Sequence, residues 1–136
     1  MKMLVLCTGN ACRSQMAEGF LRTLGGNRLT VDSAGITPSR LDRRAVTAMA
    51  ELGIDISGHT SDAMDRYLQD QFDYVITVCD NARDNCPLFP GQAKRLHWPF
   101  DDPAAATGSD QEVMAEFRRV RDEIKAKVVS WLKTIQ

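Results

Sequence analysis

Histidine is nearly absent: His59 and His97 are the two in 136 residues. Neither stands in ligand spacing with a cysteine, so a histidine-built metal centre is not expected and both rings are read as structural. Charge of one sign is missing too. Lys and Arg number 17 against 18 Asp and Glu, and no block of like charges marks a surface for nucleic acid or membrane. The opening residues Met1-Lys2-Met3-Leu4-Val5-Leu6 run straight into a strand-like pattern, without the apolar stretch and small-residue cleavage site of a leader. A cytoplasmic location is expected. There is no internal repeat, and 136 residues fit one domain, 1–136, without an internal boundary. Four cysteines remain to be explained. In a reducing compartment such thiols are catalytic or redox-sensing rather than structural bridges. Their spacings, Cys7 to Cys12 and Cys79 to Cys86, match no usual zinc finger.

Met3 to Leu6 reads as a buried strand. Residues 13–24 read as a helix with Met16, Ala17, Phe20, Leu21 and Leu24 on its inner face, stopped at Gly25-Gly26. A second strand over 28–34 leads to a turn at 35–38. A helix over 42–52 is expected to bury Ala45, Val46, Met49 and Leu52 and to stop at Gly53. Tyr74-Val75-Ile76-Thr77-Val78-Cys79 is the clearest strand, and 93–98 a weaker one that carries Trp98 into the core. From 111 to 132, Val113, Phe117, Val120, Ile124, Val128 and Trp131 recur every three or four positions, marking a long amphipathic helix. Its charges at Arg118, Arg119, Arg121, Asp122, Glu123, Lys125 and Lys127 read as a solvated face. Strands alternating with helices predict an α/β three-layer sandwich, a four-stranded parallel sheet with helices on both faces. Ligands of such folds sit beyond the carboxyl ends of the strands. Cys7, Cys79 and Asp101-Asp102 would share that edge.

The stretch from Cys7 to Ser14, Cys-Thr-Gly-Asn-Ala-Cys-Arg-Ser, puts a thiol and a guanidinium six positions apart where strand gives way to helix. Backbone N–H groups turned inward by Thr8, Gly9, Asn10, Ala11 and Cys12, at a helix N-terminus, would hold a tetrahedral oxyanion and favour a thiolate. Arg13 would add a planar fork, and the Ser14 hydroxyl is expected to hydrogen-bond the thiolate. Cys12 is read as a small filler of the loop.

At these residues the chain resembles the low-molecular-weight protein tyrosine phosphatase fold family. That resemblance implies a general acid at Asp102 of Asp102-Pro103, ahead of Asp101, which does not precede the proline. Phosphatase chemistry, however, leaves Cys79 and Cys86 without work. A reductase employs both: after attack of Cys7 on arsenate, Cys79 takes the Cys7 sulfur, and Cys86 moves the bridge on to Cys79–Cys86. Seven residues of helix would hold those two about 10 Å apart, beyond the reach of a disulfide, so the segment must unwind. Asp80, Asn81, Asp84 and Asn85 permit this, with Pro87 at its end.

Most of the chain is similar to the thioredoxin-coupled arsenate reductases of that fold family. The likeness runs through 7–19, Ser33-Ala34-Gly35, His59-Thr60-Ser61-Asp62, 79–87, His97-Trp98 with Phe100-Asp101-Asp102-Pro103, and 119–124. It implies Cys7, Cys79 and Cys86 as redox thiols, arsenate as substrate with phosphate or sulfate as mimics, thioredoxin as reductant and no required cofactor. A monomer is expected. Some members bind potassium through residues corresponding to Asn10, Glu18, Ser33 and Asp62, although a hydrogen-bond network could use the same four without an ion. Ala104-Ala105-Ala106 departs from the pattern, and it also counts against a phosphotyrosine slot, which is aromatic there. A low-molecular-weight phosphatase acting on phosphotyrosine or a small phosphomonoester and a non-enzymatic thiol sensor of the same fold stay as alternatives, and another thiol system could replace thioredoxin.

Overall fold

The computed structural model describes residues 1–86 and 88–135. Four parallel strands, β1 (Lys2–Cys7), β2 (Thr30–Gly35), β3 (Tyr74–Thr77) and β4 (Lys94–His97), lie in the order β2-β1-β3-β4. The chain leaves β1 toward β2 and returns to β3 on its other side. The carboxyl ends of β1 and β3 are therefore the switch point of the sheet, and Cys7 is the last residue of β1. Met3 to Cys7 are buried without alternation, as a strand covered on both faces must be.

Four helices supply the covers: α1 (Arg13–Gly25), α2 (Arg43–Ala50), α3 (Asp80–Asp84) and α4 (Asp110–Thr134). α1 and α4 pack together, with α2 against both. Right-handed crossovers carry α3 to the opposite face, where it touches β1 and β3. The three-layer arrangement agrees with the sequence pattern. Ser109 and Glu112 cap α4 reciprocally, and its apolar stripe from Val113 to Trp131 is buried as the spacing requires. Trp131 meets Tyr74 and Trp98 edge to face, with ring centres 5.1 and 5.8 Å away. No helix among the described residues is long and apolar enough to cross a membrane.

Three details differ from the periodic reading. Leu24 and Leu52 are exposed, at 38% and 39%: Leu24 lies in the last turn of α1 and Leu52 in the turn beyond α2, which ends at Ala50, while Ala48 takes the inner place in α2. Val78 and Cys79 lie beyond β3, which ends at Thr77; Cys79 is instead the residue that caps α3. Arg121 does not belong to the solvated face of α4. It is buried, donating to the Ala48 carbonyl at 3.0 Å and to Glu51 at 2.7 Å. The Pro87 stop falls outside the described residues.

Arg121→Ala should therefore cost about 2 kcal/mol in urea unfolding, since it strands a buried carbonyl and removes packing. Arg118 first, and then Arg121, holds the Glu51 carboxyl below its ordinary 4.5. The ion-pair share of the loss is therefore full above about pH 4.5 and disappears as the pH falls through the depressed native value.

Candidate active site

Every carbonyl of the loop after β1 is taken from outside. Cys7 O accepts from Ile36 N at 3.0 Å, Thr8 O from Thr37 N at 2.8 Å, Gly9 O from Ser39 N at 3.0 Å and from Ser61 Oγ at 2.9 Å. Asn10 O accepts from Gln15 Nε2 at 2.9 Å and Ala11 O from Asp42 N at 2.9 Å. With the carbonyls held outward, the amides are turned toward the hollow over Cys7, and the first amides of α1 join them. Asn10 sits at φ 49°, a conformation that Asn tolerates. Its side chain accepts from Ser14 Oγ at 2.7 Å and donates to the Ser33 carbonyl at 3.4 Å. Ser14 thus braces the loop and does not bond the thiolate, because Asn10 offers its hydroxyl a nearer, buried acceptor.

The hollow measures about 260 Å³ and is lined by Cys7, Thr8, Gly9, Cys12, Arg13 and Asp102, among others. Arg13 donates to the Phe100 carbonyl at 3.1 Å and lies 3.9 Å from Asp102. Its Nε is buried without a protein partner, a donor that an oxyanion in the hollow would satisfy. Asp102 Oδ1 accepts from Ala104 N at 3.0 Å, which fixes the carboxyl at the mouth. Asp101, the competing acid, turns away to Arg119 at 3.1 Å. Cys12 is more than filler: its sulfur points at Asp102 Oδ1, 3.7 Å away, and burial together with that carboxylate pushes its thiol up to about 12.

Cys7 and Cys79 meet at the floor of the hollow. The Cys79 sulfur stands 3.3 Å from the Thr8 hydroxyl oxygen and accepts from the Ala82 amide at 3.4 Å, and it interacts with the Cys7 thiol. One negative charge shared by two sulfurs settles where the donors converge. Cys7, Thr8 and Ala82 lower Cys79 to about 5, while Cys79 and burial hold Cys7 above the ordinary thiol range against the pull of Arg13. Cys86 lies past the end of α3, half-buried, and lines a small hollow with Val75, Arg83 and Leu96. None of the four cysteines is in a disulfide.

The sequence pattern of the family described as low molecular weight phosphotyrosine protein phosphatase matches residues 2–136. The chain belongs to that family. Within it, arsenate reductases of Halalkalibacterium halodurans and Bacillus subtilis are each 50% identical over 129 residues, covering 95% of this chain and 93% of the relative. A solved arsenate reductase in the phosphate-binding state superposes with a TM-score of 0.80 at 36% identity, covering 99% of this chain and 98% of that one. This member of the family is grouped with its arsenate reductases.

The residues that correspond to potassium ligands in some members of the family are gathered on one side of the loop, but they are satisfied among themselves. Ser33 Oγ donates to Glu18 Oε1 at 2.5 Å, Arg22 Nε stands 2.7 Å from Glu18 Oε2, and Arg66 lies 3.3 Å from Asp62. Asn10 is held by Ser14 and Ser33 as described. The Arg22 and Arg66 guanidinium groups supply positive charge beside this set. Among the described residues no three or more His, Cys, Asp or Glu are grouped to hold a metal. Both histidines are structural. His59 holds Gln15, which holds the Asn10 carbonyl, and His97 links Thr77 to Asp80 at 2.7 and 3.0 Å.

Gly35 is what lets β2 lie against the loop. A Cβ there would stand 2.7 Å from Thr8 O and 3.0 Å from Asn10 N, both backbone atoms that cannot swing aside. Gly35→Ala should weaken binding of phosphate at least about tenfold in calorimetry, the effect of a 1–3 kcal/mol overpacking strain placed directly on the cradle.

Proposed function

We propose that the protein reduces arsenate to arsenite by a relay of Cys7, Cys79 and Cys86 and is itself re-reduced by thioredoxin. The observation that carries this reading is the contact between two thiols beneath an oxyanion cradle, with a third thiol at the far end of a short helix. Hydrolysis of a phosphoester employs one thiol and a water; it has no use for the other two.

The cycle balances as follows. Arsenate enters the loop and takes the amides and Arg13 as donors. The Cys79 thiolate accepts the Cys7 proton, and the Cys7 thiolate attacks arsenic. A hydroxide departs as water with a proton from Asp102, a transfer usually worth about 100-fold to 10,000-fold. Cys79 then gives its proton to an adduct oxygen and attacks the Cys7 sulfur. The S–As bond breaks with its electron pair going to arsenic, arsenite leaves, and a Cys7–Cys79 disulfide remains. Cys86 attacks Cys79, and Cys7 leaves with the Cys86 proton. The resulting Cys79–Cys86 bridge is reduced by a dithiol, to which two electrons are charged per turnover.

The last bridge requires the segment to unwind: α3 stands between Cys79 and Cys86, and a helix continued over those seven positions would hold them about 10 Å apart, beyond the roughly 7 Å that a disulfide tolerates between Cα atoms. Unwinding also carries the bridge away from the buried Cys7 and toward an external partner. This favours thioredoxin, a dithiol protein, over a small monothiol.

Arsenate-dependent NADPH oxidation coupled through thioredoxin and its reductase tests the reading. Wild type should turn over repeatedly. Cys7→Ser and Cys79→Ser should be inactive, and Cys86→Ser should release at most one arsenite per chain. Repeated turnover by Cys79→Ser would sink the relay, and retention of phosphomonoester hydrolysis alone would leave a hydrolase.

A further inference from the structure

A run of side-chain hydrogen bonds threads α3 from its last turn back to the Cys79 sulfur. Asn85 Nδ2 donates to Asn81 Oδ1 at 2.8 Å and to the Asn81 carbonyl at 2.9 Å. Asn81 Nδ2 donates to Thr8 Oγ1 at 2.9 Å, and Thr8 Oγ1 stands 3.3 Å from Cys79 Sγ. The direction of this string follows from its far end. Asn85 occupies the Asn81 oxygen, so the Asn81 amide can present only its nitrogen to Thr8. Thr8, already an acceptor, cannot return its proton to Asn81, and the remaining partner in reach is sulfur. Were the Asn81 amide to flip, Thr8 would donate to the amide oxygen and could only accept from Cys79, which favours the neutral thiol.

We propose that Asn81 and Asn85 are positioning residues that aim the Thr8 hydroxyl at Cys79 only while α3 is wound. Four residues separate the two asparagines, and that spacing brings side chains together on a helix and not on an extended chain. The winding of α3 and the reactivity of its capping thiol are thereby one event. Cys79 is armed in the reduced protein, where it must attack. When α3 unwinds to bridge Cys79 with Cys86, the string breaks and Thr8 is released. Because the string stabilises the thiolate of the reduced form, it also makes the Cys79–Cys86 bridge easier to reduce. The other charged or titratable groups acting on Cys79 are Cys7 and Arg13. Asp80, though adjacent, is turned to His97 and Arg83.

This inference rests on the relay only for its consequence in turnover; the aiming of Thr8 is measurable without arsenate. The test is the pH dependence of iodoacetamide labelling of Cys79 in the reduced full-length protein, followed by peptide mass mapping. Wild type should show a midpoint well below the ordinary thiol range. Asn81→Ala, which favours the helix by propensity while deleting the donor, should raise the midpoint by about one unit. Asn81→Asp, of the same shape but able only to accept, should raise it further, and Asn85→Ala should fall between wild type and Asn81→Ala. Glutathione-buffered equilibration should then show the Cys79–Cys86 bridge several-fold harder to reduce in Asn81→Asp. Unmoved midpoints in both Asn81 variants would overturn the proposal even if Cys79→Ser abolishes arsenate turnover. Moved midpoints together with full turnover by Cys79→Ser would uphold it and overturn the relay.

Discussion

The capture of five successive loop carbonyls by groups outside the loop is the constraint on which the site depends. A peptide unit has one donor and one acceptor, and fixing the acceptor on one side aims the donor to the other. Segment 36–42 supplies four of these bonds and Gln15 a fifth. The cradle is thus built by β2 and the turn after it, not by the loop itself. This explains why Gly35, which lines no part of the hollow, has backbone of the loop within 2.7 Å of where its side chain would begin. It also explains the burial of Asn10, Ser14 and Gln15, three polar side chains with no exposure that tie the loop to itself and to Ser33, His59 and Thr60 around it.

Below the cradle, a second constraint decides the chemistry. Two buried sulfurs in contact cannot both be anionic, because the cost of a second charge in that environment exceeds what one guanidinium returns. They hold one charge, and the proton between them moves it. A nucleophile is therefore available at either sulfur in turn without drawing a proton from solvent. Asp102 is kept apart from that exchange, held at the mouth by the Ala104 amide and by Cys12, where a leaving oxygen would depart.

Much of this was legible in the residues. Short apolar, β-branched runs marked the central strands, which are covered on both faces, and a 3.6-residue period marked the long helix, which buries one face against an uninterrupted layer. The pattern misled at Leu24, in the exposed last turn of α1, at Leu52, where α2 stops two residues short of the periodic stripe, and at Arg121, whose long apolar stem and charged head let a nominally exposed residue reach a carbonyl of α2. Cys7, Arg13 and Asp102 could be placed together because sheet topology sends every strand end to one edge. Ser14 could not be resolved from Cys-x5-Arg-Ser, since the direction of a hydroxyl depends on the rotamer of Asn10, which no spacing encodes. Cys12 and its approach to Asp102 were hidden likewise, as 90 residues separate them. Asn81 and Asn85 were visible as poor helix formers, but their composition spoke only of weakness, not of what the side chains hold.

That weakness has a physical use. Asp and Asn each lower helix stability by up to about 0.7 kcal/mol relative to alanine, and α3 contains Asp80, Asn81 and Asp84 with Asn85 at its end. A five-residue helix of this composition would not persist on its own. What keeps it wound is the set of polar anchors at its first turn: Cys79 accepting from Ala82, Asp80 on His97, and Asn81 on Thr8. Oxidation of Cys79 removes one anchor directly, since a disulfide sulfur accepts poorly, and displaces the residue that carries it. The remaining bonds then oppose unwinding by only a few kcal/mol at about 1 kcal/mol each, which disulfide exchange can overcome. A helix rich in alanine at these positions would stay wound after Cys7–Cys79 forms and would strand Cys86 out of reach. The segment is stable enough to hold a thiolate in place and weak enough to yield once that thiolate has been spent, and both properties come from the same asparagines.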